Sequence, residues 1–144
     1  MAAAPIASFL MIAYRTLCAV VGVALTALGL PLFASFFAYQ RPGGEAPLLG
    51  GPHVHYFAAT AGGALVGWGG ALAAGAWRNE LSRSLGTASA FALALLAVMR
   101  ILAWFNGDYY TAGNLQRPLA AFFLIAALGF VWLRPPRTAR KVAT

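Results

Sequence analysis

Apolar residues along this chain run in long unbroken stretches, and polar residues collect in the short gaps between them. Thr16 to Phe37 holds no charge and is long enough for a helix to cross a bilayer, which takes about 20 apolar residues. Pro31 lies near its outer end and removes one backbone donor there. The segment YQRPGGEAPLLGGPHVH, residues 39–55, reads as a polar loop with Gly-Gly and Gly-Pro turn signals. Tyr56 to Trp77 is a second span. The charged turn RNELSR is short enough to join antiparallel neighbours, so the second and third spans form a hairpin. Ser84 to Phe105 is the third span, closed by the turn Asn106-Gly107-Asp108. The fourth is expected over about residues 115–133, with Pro118 in its first turn, where proline is tolerated. The pattern therefore predicts an all-α, four-helix transmembrane bundle, a single membrane domain over residues 1–144 with a basic tail at 134–144.

Composition agrees with the pattern. The chain is 61% hydrophobic and 9% charged, with a mean hydropathy of +0.75. A soluble domain carries roughly 25% charged residues, so no separate soluble domain fits. The net charge is +7, but the basic residues sit at span edges without interleaved aromatics. They suit membrane orientation and anionic lipid headgroups, and the pattern excludes nucleic acid as a partner. With both termini inside, the inner edge holds Arg15, Arg78, Arg83, Arg134, Arg137, Arg140 and Lys141, and the outer edge holds Arg41 and Arg117. That bias predicts an N-in, C-in, multi-pass membrane protein. Arg15 follows the first apolar residues instead of preceding them, so the start reads as an uncleaved part of the first helix. Cys18 lies inside an apolar run, where an inert thiol is expected.

Few residues are candidates for chemistry. Arg100 lies inside the third apolar run, about 7 Å from its outer end at 1.5 Å per residue. Three readings apply: snorkelling to the interface, an ion pair with Asp108 or Glu45, or a site for an anion or polar headgroup with Asn106, Asp108 and Tyr109. The second span carries small residues at every fourth position: Ala59, Gly63, Gly67, Ala71 and Gly75, widened by Gly62, Gly69 and Gly70. Small residues let helices approach closely in lipid, within the bundle or against another subunit. His53 and His55 alternate in the outer loop and would share a face on a strand, but two ligands are too few for a structural zinc site. Tryptophans and tyrosines, Trp104 and Tyr109 among them, fall mostly near span ends as an aromatic belt, Trp68 being mid-span. The chain holds no phosphate-binding lysine loop, no Cys-x-x-Cys and no acid within a span. No cofactor is expected, and the reading leans away from an enzyme.

Three stretches together resemble a known group: YFAATAGGALVGWGGALAA, RSLGTASAFALALLAVMRILAWFNGD and QRPLAAFFLIAALGFVWLR. The glycine-rich second helix, the arginine near the outer end of the third and the short fourth helix are similar to small four-helix bacterial membrane proteins of unknown function, the BphX-like and DoxX-like group. The resemblance runs from about Tyr56 to Arg134. It implies the fold and the membrane setting, and would carry an arginine and an Asp-Gly turn onto Arg100 and onto Gly107 with Asp108, here in the order Gly then Asp. DoxX-like relatives are associated with quinone-linked oxidation complexes. The leading functional expectation is a non-catalytic subunit or accessory protein of a larger membrane complex, with other membrane subunits as partners. The alternative is a small lipid-, quinone- or amphiphile-binding or transport protein with an outer-leaflet site near Arg100.

Overall fold

The computed structural model describes residues 3–40, 52–78, 82–105 and 116–133. Among the described residues there are four helices: α1 (Ala3–Gln40), α2 (Pro52–Arg78), α3 (Arg83–Phe105) and α4 (Gln116–Trp132). The all-α class is as expected. α1, α2 and α3 are each long and apolar enough to cross a membrane, so this is a membrane protein. The 17 residues of α4 give about 25 Å, somewhat less than the ~30 Å hydrocarbon core.

Two boundaries differ from the sequence reading. α1 continues through Pro31 to Gln40, beyond the Phe37 end of the predicted span, while at its other end it passes Arg15 and reaches Ala3, in keeping with the start being part of the first helix. At 38 residues it is about 57 Å long. α2 begins at Pro52, so His53 and His55 belong to its first turn and not to a loop. Proline at the first helical position has no N–H to leave unsatisfied, which makes Pro52 a helix start instead of the turn residue it resembles after Gly50-Gly51.

The chain divides into two compact units, Met1–Leu17 with Leu81–Thr144, and Cys18–Glu80. The second is a pair of helix segments held by glycines. A Cβ on Gly22 would lie 2.7 Å from the Gly69 carbonyl oxygen, and one on Gly29 would lie 2.6 Å from that of Gly62. Gly22 and Gly29 are seven residues apart on α1, as are Gly62 and Gly69 on α2, so two glycine–glycine crossings stack along one antiparallel seam. Lipid supplies no hydrophobic drive between helices, so this backbone approach and its dispersion contacts are what associates them. Thr26 adjoins Gly69 in the seam and donates its hydroxyl to the Gly22 carbonyl at 2.9 Å, leaving no idle polar hydrogen there.

The first unit packs the start of α1 on α3 and α4. Tyr14 is buried, meets Phe130 edge-to-face at 6.0 Å between centroids, and donates to the Ser82 carbonyl oxygen at 3.4 Å. It lies so close to Gly86 that any Cβ there would collide with the phenol oxygen. Ser82 caps α3, its hydroxyl accepting from the Leu85 N–H at 3.1 Å. The buried stripe of α3 is Gly86, Ser89, Ala90, Leu93 and Ala97. On α4, Ala120, Phe123, Ala126, Ala127 and Phe130 are buried, a similar mixture of large and small. Phe91, Leu95, Val98, Met99 and Leu102 form the outward face of α3. A row of exposed apolar side chains is what a lipid-facing surface requires.

Candidate functional site

Continuing the buried stripe of α3 by helical steps from Leu93 and Ala97 reaches Arg100 and then Trp104. Arg100 thus lies on the side of α3 that turns toward its neighbour and away from the outward Val98, Met99 and Leu102. It is half-buried. Intramembrane arginines characteristically turn to the protein interior or a cavity.

Arg100 lines a cleft of about 250 Å³ together with Ile101 and Trp104 of α3 and Arg117, Ala120, Ala121 and Leu124 of α4. The α4 positions follow i, i+3, i+4, i+7, one face of a helix. Two alanines in the middle of that face leave the space that two larger side chains would fill. The Arg117 guanidinium sits over the Trp104 ring, 4.6 Å from its centroid. Such a cation–π contact is worth about 0.5–1 kcal/mol at exposed sites, enough to bias a long side chain toward one place. The contact links the last turn of α3 to the first turn of α4. The Arg117 guanidinium and the indole therefore meet at one end, and Leu124 lies two turns further along α4. Chemically, the cleft can accept an elongated apolar group beside Ala120, Ala121 and Leu124, with the Arg117 guanidinium near one end.

The remaining predicted positions are distributed elsewhere. Asn106, Asp108 and Tyr109 lie outside the described residues, as does Glu45. His53 is exposed and His55 fully buried. Residues two apart on a helix point to nearly opposite sides, so the face-sharing that a strand would give is lost. Among the described residues, no group of three or more His, Cys, Asp or Glu side chains comes together. In the small-residue series, Ala59 is buried, Gly63 rests 3.6 Å from the Phe33 ring, Gly75 is half-buried, Ala71 is exposed and Gly67 faces open space. A step of four residues overshoots one turn by about 40°, so the series winds around α2 and leaves the seam. Gly62 and Gly69 occupy the seam instead.

Sequence reasoning assigned Arg117 to membrane orientation and Trp104 to the aromatic belt, and so missed their contact with each other and their place in one cleft with Arg100. The available signal was the antiparallel register. A short connection between the third and fourth spans sets the last turn of one beside the first turn of the next.

The fold and cleft define a helical membrane protein with a small, largely apolar cleft between two of its helices. No protein-family model, curated protein or solved structure matches the chain. The resemblance to the BphX-like and DoxX-like group rests on the sequence stretches alone.

Proposed function

We propose that this chain is a multi-pass protein of a bacterial inner membrane, with both termini cytoplasmic, that binds an amphiphile in the cleft between α3 and α4. The observation that carries the reading is the lining of that cleft: apolar along Ile101, Ala120, Ala121 and Leu124, with the Arg117 guanidinium over Trp104 near one end. A lipid, a quinone or another chain-bearing molecule has the matching shape, polar at one end and apolar over its length. The orientation is supported by the distribution of basic residues along the sequence. Ala121 is an exposed residue of the cleft wall, so Ala121→Trp fills the space without disturbing the buried stripe. The wild type extracted gently should carry a bound amphiphile in native mass spectrometry, and the variant should lose it while its helical circular dichroism is unchanged. Equal retention by both would contradict the proposal.

A subunit role is a second reading, favoured by a separate observation. Ser8, Phe9, Leu10, Met11 and Ile12 are all exposed, so a whole turn of α1 presents apolar groups on every side. A helix apolar all round is normally enclosed by protein or lipid. A photo-crosslinker at Phe9 in the native membrane tests this. Capture of one distinct membrane protein supports it, and adducts to lipid alone exclude it.

A further inference from the structure

We infer that the cleft recognises the chain of its occupant and not the head: one unbranched acyl chain of a lipid from the surrounding leaflet lies between α3 and α4, and the headgroup stays outside at the membrane surface. The inference rests on the amphiphile reading and narrows it to the part of the molecule that is recognised.

The surface that lines the cleft is almost wholly apolar. Arg117 is held over the Trp104 ring, and Arg100 already has an interaction of its own, so neither makes an ionic pocket of the interior. A headgroup drawn in among Ile101, Ala120, Ala121 and Leu124 would exchange water for side chains that form no hydrogen bond with it, a cost that a hydrocarbon chain does not meet. The dimensions suit a chain. Arg117 and Leu124 are seven residues apart on α4, about 10 Å at 1.5 Å per residue. One leaflet supplies about half of the ~30 Å hydrocarbon core, so the cleft holds roughly the upper two-thirds of a chain and releases its end into the bilayer. The space exists because two adjacent alanines stand where larger side chains would fill it, which makes it about one aliphatic side chain deep. A single file of methylenes fits such a slot, and a chain with methyl branches is wider than it. The cleft also opens sideways. Ile101 is 37% and Leu124 45% exposed, and Val98, one turn before Ile101, and Leu128, one turn beyond Leu124, continue the exposed apolar surface. In a membrane that surface meets lipid chains, so a neighbouring chain enters by lateral displacement, with no path from water. Lipid tails are as apolar as the cleft, so what favours the bound chain is dispersion contact with walls that side chains leave unfilled.

The test uses the full-length protein in nanodiscs, with retained lipid identified by native mass spectrometry. The cleft lipid is the one that the wild type keeps and that Ala121→Trp, or the milder Ala121→Leu, loses with helical circular dichroism unchanged. In equimolar dioleoylphosphatidylcholine and dioleoylphosphatidylglycerol, the two heads should be kept within about twofold of each other, since one charge-assisted hydrogen bond to a head would give about tenfold. Arg117→Gln should leave that ratio as it is. In equimolar dioleoyl- and diphytanoylphosphatidylcholine, which share a head, the unbranched lipid should be kept at least about fivefold over the branched one, the lower end of the cost of forcing an extra methyl into a packed space. A cleft lipid enriched about tenfold in one head overturns the chain assignment and leaves the amphiphile reading standing. Equal or greater retention of the branched lipid does the same. No cleft lipid in either nanodisc, with an adduct still present on protein extracted from its native membrane, overturns the acyl-chain assignment alone. No adduct in either setting overturns both readings.

Discussion

Gly62 and Gly67 are five residues apart on the same helix, and the structure gives them opposite roles. A Cβ added to Gly62 would lie 2.5 Å from the Phe33 nitrogen, 2.6 Å from the Gly29 carbonyl oxygen and 2.9 Å from the Leu32 Cβ. Two of those neighbours are backbone of α1 and cannot rotate aside. Restoring ordinary contact, which begins near 3.4 Å, requires the segments to separate locally by most of an ångström. Their association rests on close approach, so Gly62→Ala acts as overpacking and should destabilise by about 1–3 kcal/mol. A Cβ on Gly67 meets nothing within 4 Å. Gly67→Ala should therefore be neutral, or stabilise by up to about 1 kcal/mol through helix propensity. Reversible unfolding in mixed micelles, followed by circular dichroism as the denaturing detergent fraction rises, measures both. The prediction lies in the contrast, since both variants add the same methyl to the same helix. Equal destabilisation, or a larger loss from Gly67→Ala, would refute the glycine seam.

Three further outcomes follow from the packing. Gly86→Ala should destabilise through collision with the Tyr14 hydroxyl, and Tyr14→Phe should relieve part of the loss, giving a coupling of about 1 kcal/mol in a double-mutant cycle; strict additivity would contradict the contact. Ser82→Ala removes the cap of α3 and should cost about 1 kcal/mol, with faster amide exchange confined to the first turn of that helix. Cys18 is fully buried, so it should resist maleimide in the folded protein and react once unfolded; rapid labelling in mild detergent would count against that burial.

The helices were legible in the sequence because lipid-facing and buried residues are both apolar, so a span shows as an uninterrupted run. The same uniformity hides which face of a span is inside. Gly22 and Gly29 stand among Val, Ala and Leu with nothing to mark them, and the four-residue series in α2 drew attention to Gly67 and Ala71, which turn away from the seam. The start of α2 was misplaced because proline serves both turns and first helical positions, and Pro52 follows two glycines. Arg100 was conspicuous as a charge within an apolar run. Its partners in the cleft were not, because Arg117 and Trp104 each had an adequate local explanation at a span end, and only the pairing of α3 with α4 brings them to one place.

The central claim is that the space between α3 and α4 holds an amphiphile, and native mass spectrometry of the gently extracted protein tests it most directly. The account predicts a wild-type mass increased by one chain-bearing molecule and an Ala121→Trp variant at the bare protein mass with its helical content intact. A wild type already at its bare mass, or the same adduct on both proteins, would contradict it.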